Sequence, residues 1–153
     1  MPKITKIELL ENNEQPILSI RTKTSVEHLP HLIADSFEKI ATYLNELGEC
    51  PNDVPFVAYH NLDMQNLDVE IGFPVTKILP DHEKIKSGSI PDGKSIFCMY
   101  RGSYSELEPI YAEMAEWIKV RGLQPTGTAY EYYYNDSEFP ESELLTKIVI
   151  PIQ

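Results

Sequence analysis

The stretch FEKIATYLNELG (residues 37–48) has a counterpart in YAEMAEWIKVRG (residues 111–122), and the fold is read from the two together. In each, apolar residues recur every three to four positions, the spacing of one helix face. Each run stops at a glycine, which adopts the left-handed conformation of a helix end at least cost. Gly48 and Gly122 lie 74 positions apart, and the same offset relates Phe37 to Tyr111, Ala41 to Ala115, Tyr43 to Trp117 and Leu44 to Ile118.

Outward from these stretches the order of elements repeats. The first helix is predicted over His28 to Leu47, with Leu29, Leu32, Ile33, Phe37, Ile40, Leu44 and Leu47 on its apolar stripe. The second runs from Ser105 to Arg121 with Leu107, Ile110, Tyr111, Met114 and Ile118. Each is followed by two strand-like runs, Phe56 to Asn61 with Leu67 to Val75, then Ala129 to Tyr134 with Leu145 to Ile152, so each helix leads into a hairpin. The offset of 74 holds as far as Asn61 and Asn135. Past the hairpin turn it becomes 77, matching Ile71 to Ile148 and Pro74 to Pro151, so the second loop is three residues longer. Strands are also predicted at Ile4 to Leu10, Pro16 to Thr24 and Lys94 to Gly102. Pro80, Asp81, Gly88, Pro91, Asp92 and Gly93 break the periodicity between Leu79 and Gly93, with a weak strand over His82 to Ile90. Any two amphipathic helices followed by hairpins look alike in outline. A constant offset through helix, cap and strand is what separates a duplication from that coincidence.

The expectation is one domain over residues 1–153 with pseudo-repeats at about 1–78 and 79–153. Its class is α+β: a duplicated strand-helix-strand module forming one antiparallel sheet, with two helices on one face and a concave ligand cleft on the other.

Composition narrows the partners. The 153 residues are 42% hydrophobic and 24% charged, the balance of a globular chain. Thirteen basic against twenty-four acidic side chains give a formal charge of −11, which repels phosphate backbones and anionic lipid heads, so neither direct nucleic-acid binding nor membrane binding is expected. The two cysteines, Cys50 and Cys98, have neither metal-ligand spacing nor companions for a disulfide framework, and no run approaches a membrane span; a cytoplasmic protein fits best. His28, His31, His60 and His82 form no metal-site pattern. No phosphate loop or nucleophile elbow is present, so neither metal nor cofactor is expected.

The most unusual local sequence is Tyr130-Glu131-Tyr132-Tyr133-Tyr134-Asn135. In a strand Glu131 and Tyr133 share one face and Tyr130, Tyr132 and Tyr134 the other, which surrounds a carboxylate with rings. Aromatic faces and a partly buried carboxylate suit a flat lipophilic cation or a polarised carbonyl. The same six residues also fit an exposed edge strand with a solvated glutamate. Tyr59, placed by the repeat opposite Tyr133, and Tyr104, at the start of the second helix, are further candidates for the same cleft. Tyr111 and Trp117 read first as helix-to-sheet packing and second as ligand contacts. Asp68 and Glu70 share a face as a carboxylate pair, but their counterparts are Leu145 and Lys147, so solvated side chains are the simpler reading.

Four motifs in order, Tyr59-His60-Asn61 with Asp68-Val69-Glu70-Ile71-Gly72-Phe73-Pro74-Val75, Arg101-Gly102-Ser103-Tyr104 before a helix with Trp117-Ile118 and Gly122, Tyr130-Glu131-Tyr132-Tyr133, and Ile148-Val149-Ile150-Pro151-Ile152, resemble a GyrI-like small-molecule-binding domain, the effector-binding module also fused to AraC- and MerR-type regulators. The resemblance implies the duplicated fold, an aromatic cleft, and a buried glutamate, here Glu131, that meets cationic, lipophilic or otherwise diverse organic ligands. No helix-turn-helix segment fits before Ile4 or after Gln153, so direct DNA binding is not expected. Some stand-alone members resemble hydrolases of electrophilic xenobiotics, which would make Glu131 a general base and Tyr104 a substrate-orienting group. The family name also leaves open a protein partner such as gyrase. The leading expectation is a stand-alone binder or sensor of lipophilic, aromatic or cationic small molecules, with a detoxifying hydrolase as the alternative.

Overall fold

The computed structural model describes residues 5–135 and 138–153. Its fold is α+β, with eight strands paired antiparallel throughout and two helices. The contacts divide it into two compact units, one of Asn13–Asp92 and one of residues 5–12 together with Gly93–Gln153.

The contiguous unit contains β2 (Gln15–Thr24), α1 (Leu29–Leu47), β3 (Phe56–Tyr59), β4 (Leu67–Pro74) and β5 (Lys86–Ile90), in the sheet order β3-β4-β2-β5. Pro30 stands in the first turn of α1, where a missing N–H costs nothing. The helix ends at Gly48, whose φ of +71° and N–H bond to the Asn45 carbonyl make the left-handed cap. Ile40, Tyr43 and Leu44 of α1 pack on Leu18 and Ile20 of β2 to form the core, and Tyr43 Oη donates to the Pro80 carbonyl at 2.8 Å.

The other unit contains β1 (Glu8–Asn12), β6 (Gly93–Arg101), a single 3-10 turn (Tyr104–Glu106), α2 (Glu108–Val120), β7 (Ala129–Tyr133) and β8 (Leu145–Pro151), in the order β1-β6-β8-β7. Ile110, Met114 and Ile118 of α2, one turn apart, close on Ile96, Cys98, Ile148 and Ile150. Gly122 repeats the Gly48 cap, with φ +70° and an N–H bond to Lys119 O.

The duplication is visible bond by bond. The pairing Val57↔Ile71 in β3–β4 reappears as Glu131↔Ile148 in β7–β8, which are the offsets of 74 and 77 read from the sequence. Asn61 donates to the Asn66 carbonyl and accepts from the Asp68 N–H; Asn135 does the same with Glu143 and Leu145, so each asparagine staples its hairpin loop.

Several boundaries differ from expectation: the weak strand expected from His82 begins at Lys86, and the strands expected to reach Asn61 and Tyr134 end at Tyr59 and Tyr133. The first strand was expected from Ile4, which lies outside the described residues, and runs Glu8–Asn12, where its pairing with β6 (Glu8↔Phe97 to Asn12↔Gly93) sets its limits. The second helix was expected from Ser105 and begins at Glu108 behind the 3-10 turn, with Pro109 in its first turn. The compact units also cut across the sequence halves. β1 precedes β2 in the chain but joins β6, while its counterpart β5 joins β2, so the leading strand of each repeat serves the other unit.

Gly72 marks a close approach of β4 to β2. A Cβ there would sit 2.4 Å from the Leu18 carbonyl oxygen and 2.9 Å from Ser19 Cβ. Gly72→Ala is expected to cost about 1–3 kcal/mol in urea unfolding because the strands must part. Gly88→Ala, whose Cβ would meet Ile17 at an ordinary 3.7 Å, is the control and is expected to be neutral. Equal stability of the two variants would contradict the packing.

Candidate functional site

β7 alternates Tyr130 and Tyr132 on one face with Glu131 and Tyr133 on the other. Residues paired across an antiparallel ladder share a face, so Glu131 stands beside Ile148 and Tyr133 beside Thr146. Ile148 belongs to the core beneath α2. Glu131 and Tyr133 therefore point to the side that α2 covers, whereas the sequence reading set the ligand on the helix-free face.

Glu131 is 6% exposed. Tyr111, from α2, donates its hydroxyl to Glu131 Oε2 at 2.5 Å, and Tyr133 donates to Oε1 at 2.8 Å. Each carboxylate oxygen thus has one phenol. Burial holds the Glu131 carboxyl above its ordinary pKa, and the bonds from Tyr111 and Tyr133 pull part of that rise back. Two neutral donors do not cancel the charge of an ionised carboxyl.

Tyr104 meets Tyr133 edge-on, with ring centroids 5.5 Å apart, and is itself half exposed. Its loop is held from below. The fully buried Tyr100 donates its hydroxyl to the Ser103 carbonyl at 2.6 Å, and a Cβ on Gly102 (φ +148°) would lie 2.8 Å from that hydroxyl, so only glycine fits the bend. The structure thus brings together Glu131, Tyr133, Tyr111 and Tyr104.

Of the other candidates, Trp117, Asp68 and Glu70 have other engagements. Tyr59 closes β3 in the other unit, at the position equivalent to Tyr133. Trp117 packs on the α2 core with the Arg121 guanidinium 3.7 Å over its ring. Asp68 and Glu70 form no acid/base pair. Asp68 accepts two bonds from Arg21, at 3.0 and 2.9 Å, and Glu70 accepts from Ser19 at 2.6 Å and lies 3.0 Å from His60 Nε2. Those partners hold both carboxyls below their ordinary pKa. Among the described residues no three His, Cys, Asp or Glu side chains come together as a metal site, and no helix is long and apolar enough to cross a membrane.

The sequence of residues 5–153 matches the profile of the GyrI-like small-molecule-binding domain. The chain belongs to that family. No curated protein matches it as a relative. EcmrR, solved in a DNA complex, shares the fold at a TM-score of 0.84 and 21% identity over 97% of this chain, and the chain spans 57% of EcmrR's length. A hydrolase from Listeria innocua superposes at 0.73 with 16% identity, covering 100% of this chain and 94% of its own. SAV2435, solved with tetraphenylphosphonium bound, superposes at 0.71 with 10% identity, covering 97% and 94%. At these identities the likeness establishes the shared GyrI-like fold.

Sequence reasoning took Tyr111 first for packing and second for a ligand contact, and the geometry gives it a hydrogen bond to Glu131. Its signal was the offset: Tyr111 replaces Phe37 where Glu131 replaces Val57, a hydroxyl and a carboxyl gained at two neighbouring places. Tyr100 and Thr146 drew no attention because aromatic and β-branched residues are ordinary in strands.

The raised carboxyl has a measurable signature. A group that binds its proton more tightly in the folded state loses stabilising effect as pH rises from its unfolded value, 4.5, to its folded one, and nothing changes above that. Relative to wild type, E131Q is expected to gain stability over that interval and then run parallel. Urea unfolding of both proteins from pH 4 to pH 8 measures this, and a constant difference across the range would refute it.

Proposed function

We propose that this GyrI-like domain binds lipophilic cationic or aromatic small molecules, with Glu131 as the countercharge and Tyr104, Tyr111 and Tyr133 as the surrounding rings. The observation that carries the reading is internal to the chain. The first repeat builds the same strand, helix and cap with Val57 and Phe37 where the second has Glu131 and Tyr111. The fold does not need a carboxylate at this place, and burying one costs free energy unless something compensates it. A desolvated carboxylate among aromatic rings is suited to a cation too greasy for water to hold strongly. SAV2435, which shares the fold, was solved with such a cation.

Binding of tetraphenylphosphonium by calorimetry is the direct test. A cation favours the ionised carboxyl, so affinity is expected to rise with pH through the folded pKa of Glu131 and then level off. E131Q is expected to bind at least tenfold more weakly, about 1.4 kcal/mol, with no such pH dependence. Equal affinity in both proteins would end this reading.

A second reading, hydrolysis, is favoured by the direction of the Glu131 shift together with the half-exposed Tyr104 ring against Tyr133, the phenol that bonds Glu131. A desolvated carboxylate gains basicity, so Glu131 would take a proton from water as the water oxygen bonds to an electrophilic carbon; the bond to the leaving atom breaks, and that atom is protonated in turn. A panel of activated esters and strained-ring electrophiles would show turnover by wild type and loss of about a hundredfold or more in E131Q. Equal rates in the two would dismiss hydrolysis while leaving binding intact.

A further inference from the structure

Thr146 has no exposed surface, and its hydroxyl has no hydrogen-bond partner among the described residues. It sits in β8 directly opposite Tyr133, two residues from Ile148, which is opposite Glu131. On its other side it faces Tyr100, the tyrosine that anchors the Tyr104 loop. The hydroxyl therefore lies in the layer of side chains that holds Glu131, on the face that α2 covers.

The sister repeat shows what this position needs structurally. By the offset of 77 Thr146 corresponds to Val69, which is also fully buried and pairs with Tyr59 as Thr146 pairs with Tyr133. Valine and threonine have nearly the same shape, so packing is satisfied without the hydroxyl. Burying an unpaired hydroxyl is destabilising, and valine would remove that cost. The polar replacements of the second repeat, Tyr111 for Phe37, Glu131 for Val57 and Thr146 for Val69, stand on neighbouring positions of one face.

We infer that Thr146 is a ligand-contacting residue that selects for a neutral hydrogen-bonding group, a hydroxyl, ether or carbonyl oxygen, carried next to the cationic centre. This rests on the binding reading above and narrows its ligand class: the preferred molecule is a lipophilic cation with an oxygen function close to the charge. Tetraphenylphosphonium would satisfy Glu131 and the rings and leave Thr146 unpaired.

Benzyltrimethylammonium and benzyl-(2-hydroxyethyl)-dimethylammonium differ by one CH₂OH, and calorimetry with both, alongside tetraphenylphosphonium, separates the contributions. In wild type the hydroxylated cation is expected to bind roughly tenfold tighter than its parent. In T146V that preference disappears while tetraphenylphosphonium affinity is unchanged, and in T146S the preference returns. T146V keeps the shape of the core and is expected to melt at or above the wild-type temperature, so loss of folding does not confound the result. If E131Q weakens all three cations but T146V keeps the hydroxyl preference, the Thr146 inference is wrong and the binding reading stands. If no cation binds wild type, or E131Q changes nothing, both are overturned.

Discussion

The register that sets Ile148 between Cys98 and Glu131 is the constraint on which the second unit depends. Because side chains alternate along a strand, slipping β7 by one residue against β8 would turn Tyr130 and Tyr132 inward and move Glu131 to the opposite face. The asparagine staple at Asn135, the core beneath α2 and the two phenols on Glu131 are compatible with one register only. Site and fold are specified by the same ladder.

Within that ladder the two repeats divide structure from chemistry. The first repeat packs Val57 and Val69 and holds its carboxylates, Asp68 and Glu70, with Arg21, Ser19 and His60. The second buries a carboxyl with neutral donors and a hydroxyl with no partner among the described residues. Arg21, His60 and Ser19 hold both carboxyls of the first repeat below their ordinary pKa. A buried carboxyl met by neutral phenols holds its proton more tightly than an exposed one. That difference in partners sets the carboxyl of the second repeat apart from those of the first.

Much of this was legible in the sequence, and the reasons are specific. The offset between Gly48 and Gly122 carries through to the strands because cap, helix and hairpin are local structures with local signals. Glu131 stood out because a carboxylate among tyrosines is chemically conspicuous. The face on which it lies was not legible, because alternation says that Glu131 and Tyr130 point opposite ways without saying which side the helix covers. The exchange of β1 and β5 was hidden for a related reason: strand pairing between distant segments leaves no local trace. Thr146 was invisible as a polar site because only its register beside Tyr133 distinguishes it from any other β-branched strand residue.

The exchange of leading strands also orders events on the ribosome. The segment Asn13–Asp92 is contiguous, so the strands and the helix that pack within it have all emerged once β5 is made. β1 leaves the exit tunnel first, yet its partner β6 comes only after that whole segment. Contacts between such distant segments form late. The nascent chain therefore carries β1 unpaired while the Asn13–Asp92 unit closes behind it, and the carboxylate-bearing unit, which needs that strand at its edge, is completed after it.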